Sequence, residues 1–361
     1  MDAAVMRIRQ LDAVRGVAVL LVLVHNTEPD PSAHLGLIAK YGWMGVDLFF
    51  VLSGFLITGI LLETKGSDGY FKRFYGRRCL RIWPLYYAAL LFMFVVVPHI
   101  RPSESQVIFD AQSSPWWAFP LFLQNFLVPV PTMAAGLLGV TWSLAVEEQF
   151  YLTWPLVVRF CDEAKLCKIA IAVICLSPAL RFYLSLHHVN IYSNTFCRLD
   201  GLMFGALLAI VVRSGSFIPS RFLTLAWVSL LVSIPLALEL DSVNFRWLVF
   251  SIVALASISF VYLALFSNQR LLQAILKNRF LVYTGVISYG IYLLEKIPLD
   301  SAKALHLKTS PVLTFAVTTC VTYAAATLSW YFLEKPILRF RRYFEETAPP
   351  PVAIRKAVRA A

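Results

Sequence analysis

The first long apolar segment of the chain, residues 11–25, reads LDAVRGVAVLLVLVH and carries a cation and an imidazole at opposite ends of one predicted helix. Arg15 and His25 are ten residues apart, which corresponds to roughly 15 Å along an α-helix. An ionisable side chain inside a membrane costs free energy and usually faces a polar interior. We therefore expect Arg15 and His25 to lie at different depths of a membrane, one serving the inner face and the other the outer face.

Each of these two residues also has a purely structural interpretation. Arg15 lies near the start of the segment, where a long side chain reaches the cytoplasmic interface and anchors the helix. His25 lies near the far end, where the ring of a histidine readily finds hydrogen-bond partners at the membrane–water interface. The spacing alone leaves both interpretations open.

The composition is that of a membrane protein. Hydrophobic residues make up 59 % of the chain, the mean hydropathy is +0.70 and only 15 % of residues are charged, whereas soluble domains are about 45–50 % apolar. The net charge of +11 is explained by basic loops between apolar segments, so nucleic acid is not an expected partner. The six cysteines include no C-x-x-C pair, and no disulfide framework or metal site is predicted.

Ten apolar windows are long enough to cross about 30 Å of hydrocarbon. They are residues 10–27, 43–62, 82–98, 140–159, 169–187, 197–213, 222–240, 247–267, 280–299 and 311–333. Segments on the N-terminal side carry 23 basic residues and those on the opposite side carry 8, which predicts that both termini are cytoplasmic.

The predicted fold class is therefore an all-α integral membrane bundle of about ten transmembrane helices. We expect one membrane domain over residues 1–342, a short cytoplasmic tail over residues 343–361, and a multi-pass location in a cell membrane.

The second window begins GWMGVDLFFVLSGFL at residue 42. It runs inwards from the outside, so Asp47 falls about one turn deep, at the level predicted for His25. A carboxylate beside an imidazole fixes its tautomer and raises its basicity, although Asp47 is equally suited to cap the start of its helix. Gly45 and Gly54 permit the close approach of a neighbouring helix.

A basic helix follows the second window and reads YFKRFYGRRCLRIWP over residues 70–84. Arg73, Arg77 and Arg81 recur every four residues, so one face presents guanidinium groups suited to bidentate contacts with phosphate. This pattern predicts a site for a phosphorylated donor. Anchoring to anionic lipid is the alternative interpretation.

The fourth window reads TWSLAVEEQFYLTWP over residues 141–155. Glu147, Glu148 and Gln149 cannot all point the same way, so at least one must face a polar interior. Arg198, Asp200 and Glu295 fall at matching depths of other windows. We expect an outer group of His25, Asp47, Glu147 or Glu148, Arg198 and Glu295, and an inner group of Arg15 with the arginine-rich helix.

Five sequence blocks resemble, in order, the motifs of the membrane acyltransferase-3 family. They are LDAVRG at residue 11 with His25, GVDLFFVLSGF at residue 45, RCLRIWP at residue 78, SLAVEEQFY at residue 143 and SYGIYL at residue 288. Members of the family transfer acyl groups, commonly acetyl from cytoplasmic acetyl-CoA, to hydroxyls of glycans and related molecules. The resemblance implies an O-acetyltransferase with acyl-CoA and a glycan as its partners in the bilayer, and no permanently bound cofactor.

The resemblance implies that His25 and Arg15 are the essential pair of the first span, with Asp47, Arg78, Arg81 and Glu148 lining the site, and the residue patterns add further candidates. The catalytic group is His25, Arg15, Asp47 and Glu148. The donor-binding group is Arg15, Arg77, Arg78 and Arg81. The remaining candidates would bind the acceptor, namely Ser53, Glu147, Gln149, Tyr151, Arg198, Tyr289 and Glu295.

Two positions depart from the family pattern. The family usually separates the arginine and histidine of the first span by eleven residues, whereas the separation here is ten, which rotates His25 by about 100° and leaves Asn26 at the usual position. The block at residue 288 usually continues to a histidine where this chain has Glu295. Either the helix is locally adjusted, or another group acts as the base.

Other functional classes remain alternatives to an acyltransferase acting on glycans. A transporter or flippase of a glycan or lipid intermediate also needs charges near the membrane midplane, but it predicts related halves, which the sequence lacks. A non-glycan acceptor such as a polyketide hydroxyl is a further alternative.

Overall fold

The computed structural model describes residues 8–27, 36–100, 115–128, 138–214, 219–242, 245–298 and 310–344, and within these ranges the chain is helical and contains no strand. The principal helices are α1 Arg9–Thr27, α2 Gly36–Tyr41, α3 Met44–Thr64, α4 Tyr70–Leu91, α5 Thr141–Phe160, α6 Glu163–Leu186, α7 Leu199–Arg213, α8 Leu223–Ser242, α9 Arg246–Phe266, α10 Arg270–Leu276, α11 Arg279–Val286, α12 Ser288–Leu294 and α13 Pro311–Ser329. The predicted all-α class is confirmed.

Six helical segments of the described chain are long and apolar enough to cross a membrane. They are Met44–Thr64, Tyr70–His99, Glu163–Leu186, Ser220–Asp241, Arg246–Phe266 and Val312–Phe344. A seventh is obtained if Arg279–Val286 and Ser288–Pro298, which meet at a 62° bend, form one broken span. Ten spans with cytoplasmic termini therefore remain a prediction.

Once the bent pair is counted as a seventh span, helices α1, α5 and α7 account for the difference between seven spans and ten. Polar side chains lower the hydropathy of α1 and α5, and α7 is only 15 residues long. These are also helices with many buried residues. Polar residues buried in them include Asp12, Ser143 and Asp200, as expected where polar groups within a membrane domain face protein.

Helix α3 packs against both α1 and α7, and two of its glycines allow the helix backbones to come close together. A Cβ atom at Gly45 would lie 2.3 Å from the carbonyl oxygen of Ala18 in α1, and one at Gly54 would lie 1.9 Å from that of Leu202 in α7. Any larger residue at either position would push the helices apart. The close approach predicted for these two glycines is confirmed, and it fixes α3 at the centre of the bundle.

Two helices continue beyond their regular ends. Helix α4 passes through a π-helical turn at Phe92–Val96 into Val97–Ile100, and α13 passes through a similar turn at Trp330–Glu334 into Lys335–Leu338 and a 3₁₀ segment at Arg339–Phe344. The helical chain thus extends two residues past the predicted domain boundary at residue 342. The rest of the predicted tail lies outside the described residues.

The orientation can be measured with a topology reporter. A reporter fused after Arg342 is expected to be active only on the cytoplasmic side, because basic residues are concentrated in the segments that share this side with the C-terminus. Alkaline phosphatase, which is active only outside the cytoplasm, and a fluorescent protein that folds only inside it form a matched pair. A strong phosphatase signal at this site would overturn the predicted orientation.

Candidate active site

Three arginines from two helices form a cationic cluster, which we call the inner cluster. It consists of Arg15 of α1 and Arg78 and Arg81 of α4, whose charges lie close enough to act on one another. The Arg78 guanidinium lies over the ring of Tyr151 at 5.5 Å, and that of Arg81 lies over the ring of Trp330 at 5.7 Å. Rings in these positions hold the guanidinium groups by cation–π attraction.

The inner cluster differs from the arginine ladder expected from the sequence. The Nε atom of Arg77 donates to the carbonyl of Arg73 at 3.2 Å, within its own helix. Arg78 and Arg81, three residues apart, are instead the two residues of α4 that interact electrostatically with Arg15. Of the i, i+4 ladder, only Arg81 is therefore found in the inner cluster, and its neighbour there is Arg78, which lies outside the ladder.

Glu147 belongs with the inner cluster. Its carboxylate accepts hydrogen bonds from Ser53 at 2.5 Å and from Tyr151 at 3.1 Å, and the charges of Arg78 and Arg15 act on it. The sequence placed one of the adjacent glutamates in the outer group. The structure instead brings Glu147, Ser53 and Tyr151 next to the arginines, so three predicted acceptor-binding residues border the predicted donor site.

Glu148 points to a different neighbour. Its Oε2 accepts a hydrogen bond from Nε1 of Trp83 at 3.3 Å, while its Oε1 is buried without a hydrogen-bond partner among the described residues. The two adjacent acids thus diverge, as the sequence predicted. No contact joins Glu148 to His25 in the described part of the chain.

His25 is half-buried, and its ring is oriented by a main-chain group. Its Nδ1 donates a hydrogen bond to the carbonyl of Ala39 in α2 at 2.6 Å. In the neutral ring this places the proton on Nδ1 and leaves the lone pair on Nε2 available to accept one. The sequence assigned this orienting role to Asp47 or Glu148, but the structure gives it to a backbone oxygen that no side-chain pattern reveals.

The two positions that depart from the family pattern meet in the structure. Nδ2 of Asn26 donates to Oε1 of Glu295 at 2.5 Å, although the residues are 269 positions apart. Glu295 is fully buried, and its Oε2 has no hydrogen-bond partner among the described residues. The two residues that depart from the family pattern, Asn26 and Glu295, are therefore hydrogen-bonded to each other, and Asn26 follows His25 directly in the chain.

Asp47 is paired with Arg198. Both Asp47 carboxylate oxygens accept from Nη2 of Arg198 at 2.9 Å, and both side chains are buried. The Arg198 guanidinium lies 4.0 Å from the ring centroid of Phe250, with three further rings within 6 Å, those of Phe50, Trp142 and Tyr192. The expected contact between Asp47 and His25 is not formed, because the carboxylate is held by a closer cation.

A second buried ion pair lies near the first and was not found from the sequence. Nη2 of Arg181 donates to Asp200 at 2.9 Å, and Ser251 donates to the same carboxylate oxygen at 2.6 Å. Arg181 also donates to the carbonyls of Trp247 and Cys197. A basic residue within a predicted apolar window was the available signal, since such a residue requires a buried partner.

The remaining predicted residues tie helices together. The side-chain amide of Gln149 donates to the Phe122 carbonyl at 2.7 Å and to Asn125 at 2.9 Å, and it accepts from Thr195 at 2.5 Å. The hydroxyl of Tyr289 donates to the carbonyl of Ile82 at 2.8 Å. These bonds fasten α5 and α12 to their neighbours and use both N–H donors of the Gln149 amide.

Comparison with known proteins gives a family match. A family model of the acyltransferase-3 type, described as an acyltransferase domain, matches residues 8–332. This range contains all five motif blocks, and also the inner cluster, His25 and Glu295. No solved structure matches the chain.

Similar curated proteins come from Bacillus subtilis and Listeria monocytogenes. YrhL of Bacillus subtilis (strain 168), named as a candidate peptidoglycan O-acetyltransferase, is 31 % identical, and the alignment covers 91 % of this chain and 54 % of the relative. OatA of Listeria monocytogenes, named as a peptidoglycan O-acetyltransferase, is 28 % identical. That alignment covers 93 % of this chain and 57 % of the relative. The chain thus spans about half the length of the curated relatives it matches.

The family match extends over nearly the whole chain, in agreement with the order of the motif blocks. It also agrees with the helical architecture, in which polar helices lie among apolar ones long enough to cross a membrane. The resemblance predicted from the sequence is confirmed. The chain belongs to the acyltransferase-3 family.

Proposed function

We propose that the protein is a membrane O-acyltransferase that moves an acetyl group from cytoplasmic acetyl-CoA to a hydroxyl of a glycan. The observation that supports this most is the arrangement of α1, which carries Arg15 in a cationic cluster at one end and an oriented imidazole, His25, at the other. The proposed location is the inner membrane of a bacterium.

The donor would bind by its phosphates at the inner cluster. The guanidinium groups of Arg78 and Arg81 are half-buried and find no hydrogen-bond acceptor among the described residues, so their donors are available for an anion. Guanidinium groups suit phosphate because they donate two parallel hydrogen bonds. The long pantetheine arm of the donor would then extend along α1 and carry the thioester towards His25.

The transfer itself needs a base, because an alcohol is a poor nucleophile at neutral pH. Nε2 of His25 would accept the proton of the acceptor hydroxyl. At the same time the hydroxyl oxygen attacks the carbonyl carbon of the thioester. The carbon–sulfur bond then breaks, the thiolate leaves and takes up a proton, and the products are an acetyl ester and free CoA. The Ala39 carbonyl stabilises the imidazolium that forms, since it accepts from Nδ1.

The names of the relatives support a choice of acceptor class to propose. Two of them are named for peptidoglycan, so we propose a cell-wall glycan first and treat lipopolysaccharide, exopolysaccharide, lipid-linked sugars and polyketides as comparison acceptors. Purified protein is incubated with radiolabelled acetyl-CoA and each acceptor in turn. Label is expected on a glycan hydroxyl in an amount that grows with time. Movement of a glycan across vesicles without label transfer would favour the flippase alternative.

Donor binding is predicted to depend on the inner cluster. Replacing both Arg78 and Arg81 with Gln is expected to weaken acetyl-CoA binding by at least about tenfold, because hydrogen bonds to a charged group are lost. Replacement by Lys should restore only part of the affinity, since an ammonium cannot form the bidentate contact. Affinity is measured by titration of the purified protein with acetyl-CoA.

The matched control lies on the same helix. The double variant Arg73→Gln/Arg77→Gln removes the same charge but leaves the inner cluster intact, so it should bind acetyl-CoA like the parent protein. Equal weakening in both double variants would mean that total positive charge, and not this site, attracts the donor.

A further inference from the structure

The C-terminal end of the described chain is docked on the arginine-bearing helix α4. The ring of Phe344 lies directly over Gly76, where an added Cβ would be only 2.3 Å from a ring carbon. Gly76 is two residues before Arg78, so the contact lies beside the inner cluster. A larger residue at this position would displace the ring, which packs the 3₁₀ segment Arg339–Phe344 against α4.

The geometry of that segment directs Arg341 towards the same helix. A 3₁₀ helix has three residues per turn, so side chains at positions i and i+3 lie on one face. Arg341 and Phe344 have this spacing, and Phe344 marks the face that meets α4. Arg342, one residue later, instead lies over the ring of Tyr343 at 5.1 Å and is exposed.

The charges agree with this placement. The Arg341 cation acts on both Arg78 and Arg81, as the Arg15 cation does. Carboxylates near these charges include Asp12, which binds Arg15 at 3.0 Å, and Glu147, Glu148 and Glu334. Four guanidinium groups from three separate parts of the chain thus lie within range of one another, an arrangement suited to a ligand that carries several phosphate groups.

We propose that Arg341 is a fourth phosphate-binding residue, and that the C-terminal segment closes the donor site as one of its walls. The ligand class is a thioester donor that carries several phosphate groups. The inference therefore rests on the proposed function, and it adds one residue and one wall to the donor site. The sequence suggested only topology for this arginine, because it lies in a basic tail far from the other motifs.

The test compares two donors on a pair of adjacent variants. Arg341→Gln is expected to raise the KM for acetyl-CoA by about tenfold, the usual effect of losing one hydrogen bond to a charged group, while kcat changes less than twofold. Arg342→Gln removes the same charge one residue away and should leave both constants unchanged. With acetylated pantetheine, which carries the thioester but no phosphate, Arg341→Gln should have no effect on kcat/KM.

A second variant separates binding from docking. Phe344→Ala keeps every charge but loosens the segment, so it should raise the KM for acetyl-CoA by a smaller factor than Arg341→Gln and leave acetylated pantetheine unaffected. Thermal unfolding of each purified variant identifies any that has merely lost its fold.

The results distinguish this inference from the proposed function. If Arg78→Gln raises the KM for acetyl-CoA and Arg341→Gln does not, the C-terminal segment is not part of the donor site. The proposed donor site at the inner cluster is then still supported. An equal effect of Arg341→Gln on both donors would show that the arginine supports the fold and does not bind phosphate. If purified Arg341→Gln loses bound anionic lipid while its KM for acetyl-CoA stays normal, the ligand is a lipid headgroup and the inference is overturned.

Discussion

His25→Ala is expected to lower kcat for acetyl transfer by about 10²–10⁴-fold, the usual contribution of a positioned general base, while acetyl-CoA binding stays within about twofold of the parent protein. The reason is positional, since Nδ1 of His25 is engaged by the Ala39 carbonyl and Nε2 is left to accept the acceptor proton. The inner cluster, which would bind the donor, lies at the opposite end of α1. Transfer of label from acetyl-CoA measures kcat, and titration with acetyl-CoA measures binding.

Asn26→Ala is the adjacent comparison, and we expect it to be milder in transfer. Asn26 donates to buried Glu295, so its loss leaves a carboxyl group without that bond and lowers stability, because an unsatisfied buried polar group is costly. Rates must therefore be compared at equal amounts of folded protein. If Asn26→Ala were inactive when folded and His25→Ala kept its rate, the base would have to be sought at Glu148 or at Glu295.

The second large effect concerns stability. Asp47→Ala is expected to lower the free energy of unfolding by about 3–5 kcal/mol, the usual result of removing one partner of a buried ion pair. The change leaves the Arg198 guanidinium buried among aromatic rings with no carboxylate to bind. Chemical unfolding of the purified protein in detergent, followed by tryptophan fluorescence, measures the loss.

Two variants make the stability prediction specific. Asp162→Ala removes an exposed carboxylate that caps α6 through the backbone of Lys165, and the loss of such a cap costs about 1 kcal/mol. Asp47→Leu combined with Arg198→Met replaces the buried pair by apolar groups and should regain much of the stability lost by Asp47→Ala. If Asp47→Ala were no more harmful than Asp162→Ala, the pair would not be a structural element of the bundle.

Local features of the sequence determined the fold class and the residues that carry charge within it. Hydropathy alone predicts helices in a membrane, because a backbone in hydrocarbon must satisfy its own hydrogen bonds. Spacing on one helix places Arg15 and His25 at opposite ends, since the rise per residue is constant. Gly45 and Gly54 indicated close helix packing for the same local reason, namely the absence of a side chain.

Only the tertiary structure decided which groups meet. Asp47 binds Arg198 and not His25, Glu147 joins the inner cluster, and Arg341 reaches that cluster from the other end of the chain. Partner choice depends on the rotation and crossing of helices that are far apart in sequence, and these are set by packing over the whole bundle. A backbone partner such as the Ala39 carbonyl leaves no side-chain signature at all, so only the folded chain could reveal it.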